Sequence, residues 1–180
     1  GENVRYDGRH CLQEQLKKLV ENGDAIMVCP ETMGGLATPR LPAEIVGGSA
    51  EDVLNGKAEV LDSKANNLTQ TFINGAYKVL KIAQSNQITH VILKENSPSC
   101  GSHFIYNGTF KAQKIRGMGI TATLLKQHGF IVLSEDDFLE TLKFLSQVSV
   151  IQNSSNSSHA VISSKYAKTS ILAIVNRFLL

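Results

Sequence analysis

The sequence predicts an α/β protein: a mostly parallel, three-layer sheet with helices on both faces, in a single compact domain followed by a tail. Three observations carry this. Helix-like and strand-like segments alternate along the chain. The strand-like runs are short and almost continuously apolar, the pattern of strands buried on both faces. A length of 180 residues with 42% hydrophobic and 19% charged residues suits one globular domain with a sizeable core.

The elements follow in order. Leu12, Leu16, Leu19 and Val20 recur at helical spacing from about His10 to Glu21, and Asn22-Gly23 supplies a stop. Ala25-Ile26-Met27-Val28-Cys29, closed by Pro30, reads as a core strand. Residues 32–64 hold two glycine pairs, Gly34-Gly35 and Gly47-Gly48, together with Pro39 and Pro42. They are expected to form a long ordered loop with little regular structure, and loops of that length are usually functional or disordered. From about Asn67 to Gln84, Leu68, Phe72, Ala76, Val79, Leu80 and Ala83 make one helical stripe. His90-Val91-Ile92-Leu93-Lys94 is a second strand; a helix from about Ile120 to His128 stops at Gly129; Phe130-Ile131-Val132-Leu133 is a third strand. Ser134 with Asp137 resembles a capping box opening a helix through about Ser146.

The regular domain is therefore expected to span residues 1–147, with residues 148–180 as a tail. That tail opens on a Ser/Asn-rich stretch, carries no Asp or Glu, and ends in an apolar run, Ile171 to Leu180, that suits a helix or a peripheral segment without function.

Charge and cysteine usage narrow the setting. Lys+Arg 18 against Asp+Glu 16 gives a formal +2, too slight to advertise a polyanion-binding surface. Lys165, Lys168 and Arg177 of the tail account for that surplus, since without them 15 basic residues face 16 acids. Neither a nucleic-acid polymer nor a membrane is an expected partner. Three cysteines do not make a disulfide framework. There is no apolar run of about 18 residues, and Gly1 to Gly8 is too polar for a signal peptide. The expectation is a soluble, cytoplasmic protein with reduced thiols.

In open parallel sheets, ligands bind beyond the carboxyl ends of the strands. Cys29 ends the first core strand and Cys100 follows the second by six positions, so both thiols are expected at one sheet edge. Two such thiols suggest metal or redox chemistry, although buried cysteine also serves as a small hydrophobe. Cys11, in a helix among polar residues, reads as an ordinary thiol. Around Cys100, Pro98 and Gly101 set a tight turn, Ser97, Ser99 and Ser102 add hydroxyls, and successive backbone N–H groups suit an anion-binding nest.

Other site types find less support. Cys100 and His103 have the spacing of half a zinc site, but the second close ligand pair is missing. His10, His90 and His128 are scattered. No Walker loop or dinucleotide glycine fingerprint occurs; Gly117-Met118-Gly119 lacks the spacing. The residues alone leave two classes open. One is an enzyme with a thiolate-bound metal centre. The other is a non-catalytic module that takes a small anion or nucleotide on the Ser97 to Ser102 turn.

Several motifs then occur in series: Gly1-Glu2-Asn3-Val4-Arg5-Tyr6-Asp7-Gly8, Val28-Cys29-Pro30-Glu31, Gly34-Gly35-Leu36-Ala37-Thr38-Pro39-Arg40, Lys94-Glu95-Asn96-Ser97-Pro98-Ser99-Cys100-Gly101-Ser102, Ile105-Tyr106-Asn107-Gly108-Thr109-Phe110 and Gly117-Met118-Gly119-Ile120-Thr121-Ala122. Over roughly Gly1 to Gln147 this series resembles the thiouracil desulfurase family, a bacterial family long catalogued as a domain of unknown function. The resemblance implies an α/β domain holding a [4Fe-4S] cluster by three cysteines, with the fourth iron open. It implies that the open iron takes the thiocarbonyl sulfur of a thiolated nucleobase such as 2-thiouracil, leaving uracil without net redox change. Thiolates are the standard ligands of such clusters.

Residue by residue, the resemblance makes Cys29 and Cys100 cluster ligands. Glu31 becomes a proton-handling group, with Ser97 or Ser99 orienting substrate or bonding to the cluster, and Ser102 and Arg5 contacting substrate. The family's Ser-Ala-Cys-Leu-Leu-Gly segment, which carries its first strand and first cysteine, precedes the position of Gly1. The third ligand is thus expected upstream of Gly1, two of three being present in the chain, and neither Cys11 nor Val4 replaces it.

Overall fold

A computed structural model describes residues 14–141 and 171–174 of the chain. In chain order the elements are α1 (Glu14–Glu21), β1 (Ala25–Val28), α2 (Pro30–Gly34), β2 (Ala43–Val46), α3 (Ala50–Leu54), β3 (Glu59–Asp62), α4 (Thr69–Ser85), β4 (His90–Leu93), β5 (Phe104–Tyr106), β6 (Lys114–Arg116), α5 (Ile120–Gln127), β7 (Ile131–Ser134) and β8 (Ile171–Ile174). Residues 135–141 are also helical. The strands form one parallel four-stranded sheet in the order β1-β8-β4-β7 and two antiparallel pairs, β2-β3 and β5-β6. The architecture is mixed helix and strand, and half of the described strands lie outside the parallel sheet that the sequence predicts.

Two expectations need correction. Residues 32–64 are not a long irregular loop: they contain the end of α2, the β2-β3 pair and α3. Strands of four residues and helices of five fall below the length at which apolar periodicity declares itself. The start of α3 was nonetheless written locally, because Ser49 and Asp52 form a reciprocal capping box. The second correction concerns the tail. Ile171–Ile174 is a strand instead of a helix, and it lies inside the sheet, parallel to both β1 and β4. A four-residue apolar run fits either state, and the slot between two parallel strands decides for the ladder.

The longer elements agree with their sequence patterns. Helix α4 buries Phe72, Ala76, Val79, Leu80 and Ala83, the expected stripe, and adds Gly75. Alternation along β4 divides the packing: Val91 and Leu93 join these residues and Ile120, Leu124 and Leu125 of α5 in one apolar cluster. Ile92 joins Leu16, Ala25 and Phe138 in the other. The expected capping box holds, with Ser134 N–H donating to Asp137 at 3.0 Å and Asp137 N–H to the Ser134 hydroxyl at 2.9 Å.

Register brings the strand ends level. Val28 pairs with Ile174, which pairs with Leu93, which pairs with Ser134. The chain therefore leaves β1 toward Cys29 and β4 toward Cys100 at the same edge. Among the described residues, no helix is long and apolar enough to cross a membrane.

Candidate active site

Cys29 closes β1 in extended geometry and precedes α2, whose first residue is Pro30. Proline fits there because a helix's first N–H needs no partner. The Met33 N–H and the Thr32 hydroxyl both donate to the Cys29 carbonyl, at 2.9 and 3.1 Å. The short helix lies tight against α4: a Cβ on Gly75 would stand 2.0 Å from the Pro30 carbonyl oxygen, so only glycine allows this approach. That contact fixes the backbone between Cys29 and Glu31.

The Glu31 carboxylate is almost wholly buried, at 1% exposure, and Arg40 beside it is 7% exposed. Arg40 reaches Oε2 with Nε at 2.8 Å and Nη2 at 2.6 Å, while its Nη1 donates to the Ala37 carbonyl and the Thr38 hydroxyl. The guanidinium is thus clamped at one end by backbone and presents two donors to one carboxylate oxygen, a strong charge-assisted arrangement. Oε1 faces the other way, with the Ser97 hydroxyl donating to it at 3.4 Å. This contact joins the Cys29 segment to the Cys100 segment across 66 residues of sequence.

Ser97 also organises its own turn, since its hydroxyl oxygen accepts the N–H groups of Ser99 at 3.1 Å and Cys100 at 3.2 Å. The Gly101 N–H donates to the Ser97 carbonyl at 2.9 Å. On the far side, the turn caps α5: the Pro98 carbonyl accepts from Ile120, the Ser99 carbonyl from Thr121 and Ala122, and the Ser99 and Thr121 hydroxyls share a 2.8 Å bond. Gly119 makes the approach possible, because a Cβ there would meet the Ser99 carbonyl carbon at 2.3 Å. Cys100 is fully buried at the centre of this arrangement.

A convergent set of backbone N–H groups does occur, but it lies just past the expected Ser97 to Ser102 turn, at residues 102–104, and a side chain of the protein occupies it. The N–H groups of Ser102, His103 and Phe104 all donate to the Glu95 carboxylate, at 3.0, 3.0 and 3.1 Å. Burial, the largest single influence on Glu95, pushes its acidity down. Hydrogen bonds from the Ser102 hydroxyl, the Phe104 and Ser102 N–H groups and the His103 ring together outweigh it and hold the carboxyl below the ordinary range.

The predicted site residues thus divide. Cys29, Glu31, Ser97 and Cys100 are brought together in one buried locus by the Glu31–Ser97 contact and the pinned turn. Ser99 is buried against Thr121, and the Ser102 hydroxyl donates to Glu95. Arg5, Cys11 and His10 lie outside the described residues. Arg40, Glu95 and Thr121 were not singled out as site residues, since their roles rest on contacts between separate segments. Among the described residues no group of three His, Cys, Asp or Glu side chains is placed to hold a metal ion. Two buried cysteines have the donor chemistry for an iron–sulfur cluster, and they are two of the three ligands that the resemblance implies.

Taken together, the described residues form a mixed helix and strand domain in which Cys29 and Cys100 follow β1 and β4 at one edge of the parallel sheet. The comparisons are more specific. The family model for 2-thiouracil desulfurase matches residues 1–137. The uncharacterized protein YbbK of Bacillus subtilis (strain 168) is 51% identical over 142 residues, covering 79% of this chain and 94% of YbbK. A solved structure, the [4Fe-4S]-dependent thiouracil desulfidase TudS, superposes with a TM-score of 0.69 at 39% identity, covering 82% of this chain and 92% of TudS. The chain belongs to the 2-thiouracil desulfurase family.

Proposed function

We propose that this chain removes sulfur from a small thiolated pyrimidine such as 2-thiouracil, converting the thiocarbonyl to a carbonyl with release of sulfide. Water supplies the oxygen and two protons, so no external oxidant or reductant is consumed. Cys29 and Cys100 would hold a [4Fe-4S] cluster, with a third ligand from outside the described residues. When bound, the cluster supplies an open iron that serves as a Lewis acid for the thiocarbonyl sulfur.

The protein's own groups then handle water and protons. Glu31 is the general base: Arg40 keeps the side chain as a carboxylate through Oε2, and Oε1, on the Ser97 side, takes the proton from water attacking the ring carbon. Ser97 orients that oxygen and holds the Cys100 turn with the same hydroxyl, so ligand and base keep a fixed relation. Both the carboxylate and the thiol are shielded from bulk solvent, which strengthens the electrostatic interactions at the site. Ser99 packs against Thr121 and serves the turn, and no part in proton transfer is assigned to it.

The observation that carries this reading is the Glu31–Ser97 bridge between the two cysteine segments. The competing reading, anion binding by the turn's backbone, has its donors already taken by Ser97 and Glu95. The reading is tested by anaerobic reconstitution, with iron and sulfide, of the protein carrying the third cysteine that the family resemblance implies, followed by incubation with 2-thiouracil. Uracil and sulfide should appear in equal amounts, and Cys100→Ser and Glu31→Gln should each abolish them. Reconstituted protein that binds iron through both thiols yet leaves 2-thiouracil and 4-thiouracil intact would sink the substrate assignment.

A further inference from the structure

Glu95 lies five residues before Cys100. Three consecutive N–H groups, of Ser102, His103 and Phe104, converge on its carboxylate, and the Ser102 hydroxyl and His103 Nδ1–H point to the same group. Such a set of backbone donors is the geometry with which proteins bind an external anion. Here the anion is a side chain of the same loop, itself nearly buried. Its placement is secured in turn, because the Glu95 N–H donates to Glu135 Oε2 at 2.8 Å and Glu135 pairs with Lys94.

We propose that Glu95 is the positioning residue for Cys100, acting as the built-in anion of the turn. The two arms leading to and from the cysteine are held by different groups. Ser97 fixes the N–H groups of Ser99 and Cys100 on the incoming side, and Glu95 fixes residues 102–104 on the outgoing side. Between them the backbone on both sides of Cys100 is pinned, which fixes the direction in which its Cα–Cβ bond points. With the carboxylate removed, three aligned N–H groups lose their acceptor and the outgoing arm rearranges to find water. This inference rests on the proposed function only in its purpose, a ligand held ready for a cluster; the positioning itself is a property of the polypeptide.

Its test is alkylation of the thiols in the full chain, with Cys100 and Cys29 quantified separately by peptide mass spectrometry. Glu95→Ala should raise the Cys100 labelling rate about tenfold or more, the factor that one lost charge-assisted hydrogen bond carries, and leave Cys29 unchanged. Formate, a carboxylate small enough to enter the vacated nest, should return Cys100 to slow labelling, and chloride at equal ionic strength should not. Glu95→Gln keeps the volume but faces N–H donors with an NH2 group. It should also speed Cys100 labelling selectively, without response to formate, and it carries the test if the alanine variant does not fold.

Unchanged Cys100 labelling in both variants, a parallel rise at Cys29, or a formate-insensitive Glu95→Ala protein overturns the proposal. Because labelling reports the thiol whether or not iron is present, failure to desulfurate would leave this result standing, and the reverse holds equally.

Discussion

Arg40→Met isolates the interaction on which the proposed base depends. The wild-type side chain places Nε and Nη2 at 2.8 and 2.6 Å from one oxygen of a carboxylate that is 1% exposed. Methionine retains much of the apolar stem but leaves that carboxylate buried without its guanidinium. Removing one partner from a buried pair costs about 3–5 kcal/mol, several times the worth of a solvent-exposed pair, because the remaining charge stays desolvated. For a domain of this size that corresponds to a fall in Tm of roughly 10 °C. Urea titration of the full chain gives the free energy, and an unchanged m-value shows that the unfolded state is the same. The double variant Glu31→Gln/Arg40→Met should recover more than about 1 kcal/mol relative to the sum of the single variants. A loss below about 1 kcal/mol for Arg40→Met, the value of an exposed ion pair, or strict additivity in the double variant, refutes a desolvated, coupled pair.

Three further outcomes follow. Gly75→Ala drives a Cβ into the Pro30 carbonyl oxygen, 2.0 Å away, so α2 must shift; a stability loss of about 1–3 kcal/mol is expected by thermal unfolding. Glu95 has its folded pKa lowered, so the stability it contributes is present above the unfolded carboxyl pKa of about 4.3 and is lost as pH falls through the lower folded value. Acid unfolding monitored by circular dichroism should therefore show less pH dependence below that point in Glu95→Gln than in the wild-type chain. Ser97→Ala leaves the Ser99 and Cys100 N–H groups without the hydroxyl acceptor and Glu31 without that donor. Steady-state kinetics should show turnover falling about tenfold or more with KM little changed.

What the sequence made legible depended on element length and on whether an interaction was local. Helix α4 could be read because its stripe positions repeat at helical spacing, and five of the six, Phe72, Ala76, Val79, Leu80 and Ala83, are buried within its seventeen residues, while Leu68 is its N-cap. The Ser134–Asp137 box spans three residues, so it too was visible. The β2-β3 pair was not, since four-residue strands such as Ala43–Val46 are stabilised by pairing with a partner that the sequence does not indicate. The same holds for Ile171–Ile174, whose strand state is decided by β1 and β4, the latter some eighty residues away. At the site, the cysteines stood out through their strand-end positions, Ser97 through its turn, and Glu31 through motif resemblance. The Glu31–Ser97 contact and the filled nest did not, because a run of serines around a cysteine looks the same whether its N–H groups await a ligand or already hold Glu95.

The central claim is that Cys29 and Cys100 together hold an iron–sulfur cluster at the edge where β1 and β4 end. Iron and acid-labile sulfide, measured after anaerobic reconstitution and desalting of the protein carrying the third cysteine that the family resemblance implies, address it most directly. About four of each per chain are expected in the wild-type protein, with both falling to background in Cys29→Ser and in Cys100→Ser. Wild-type protein that retains no iron, or a Cys100→Ser variant that retains as much as the wild type, would contradict the account.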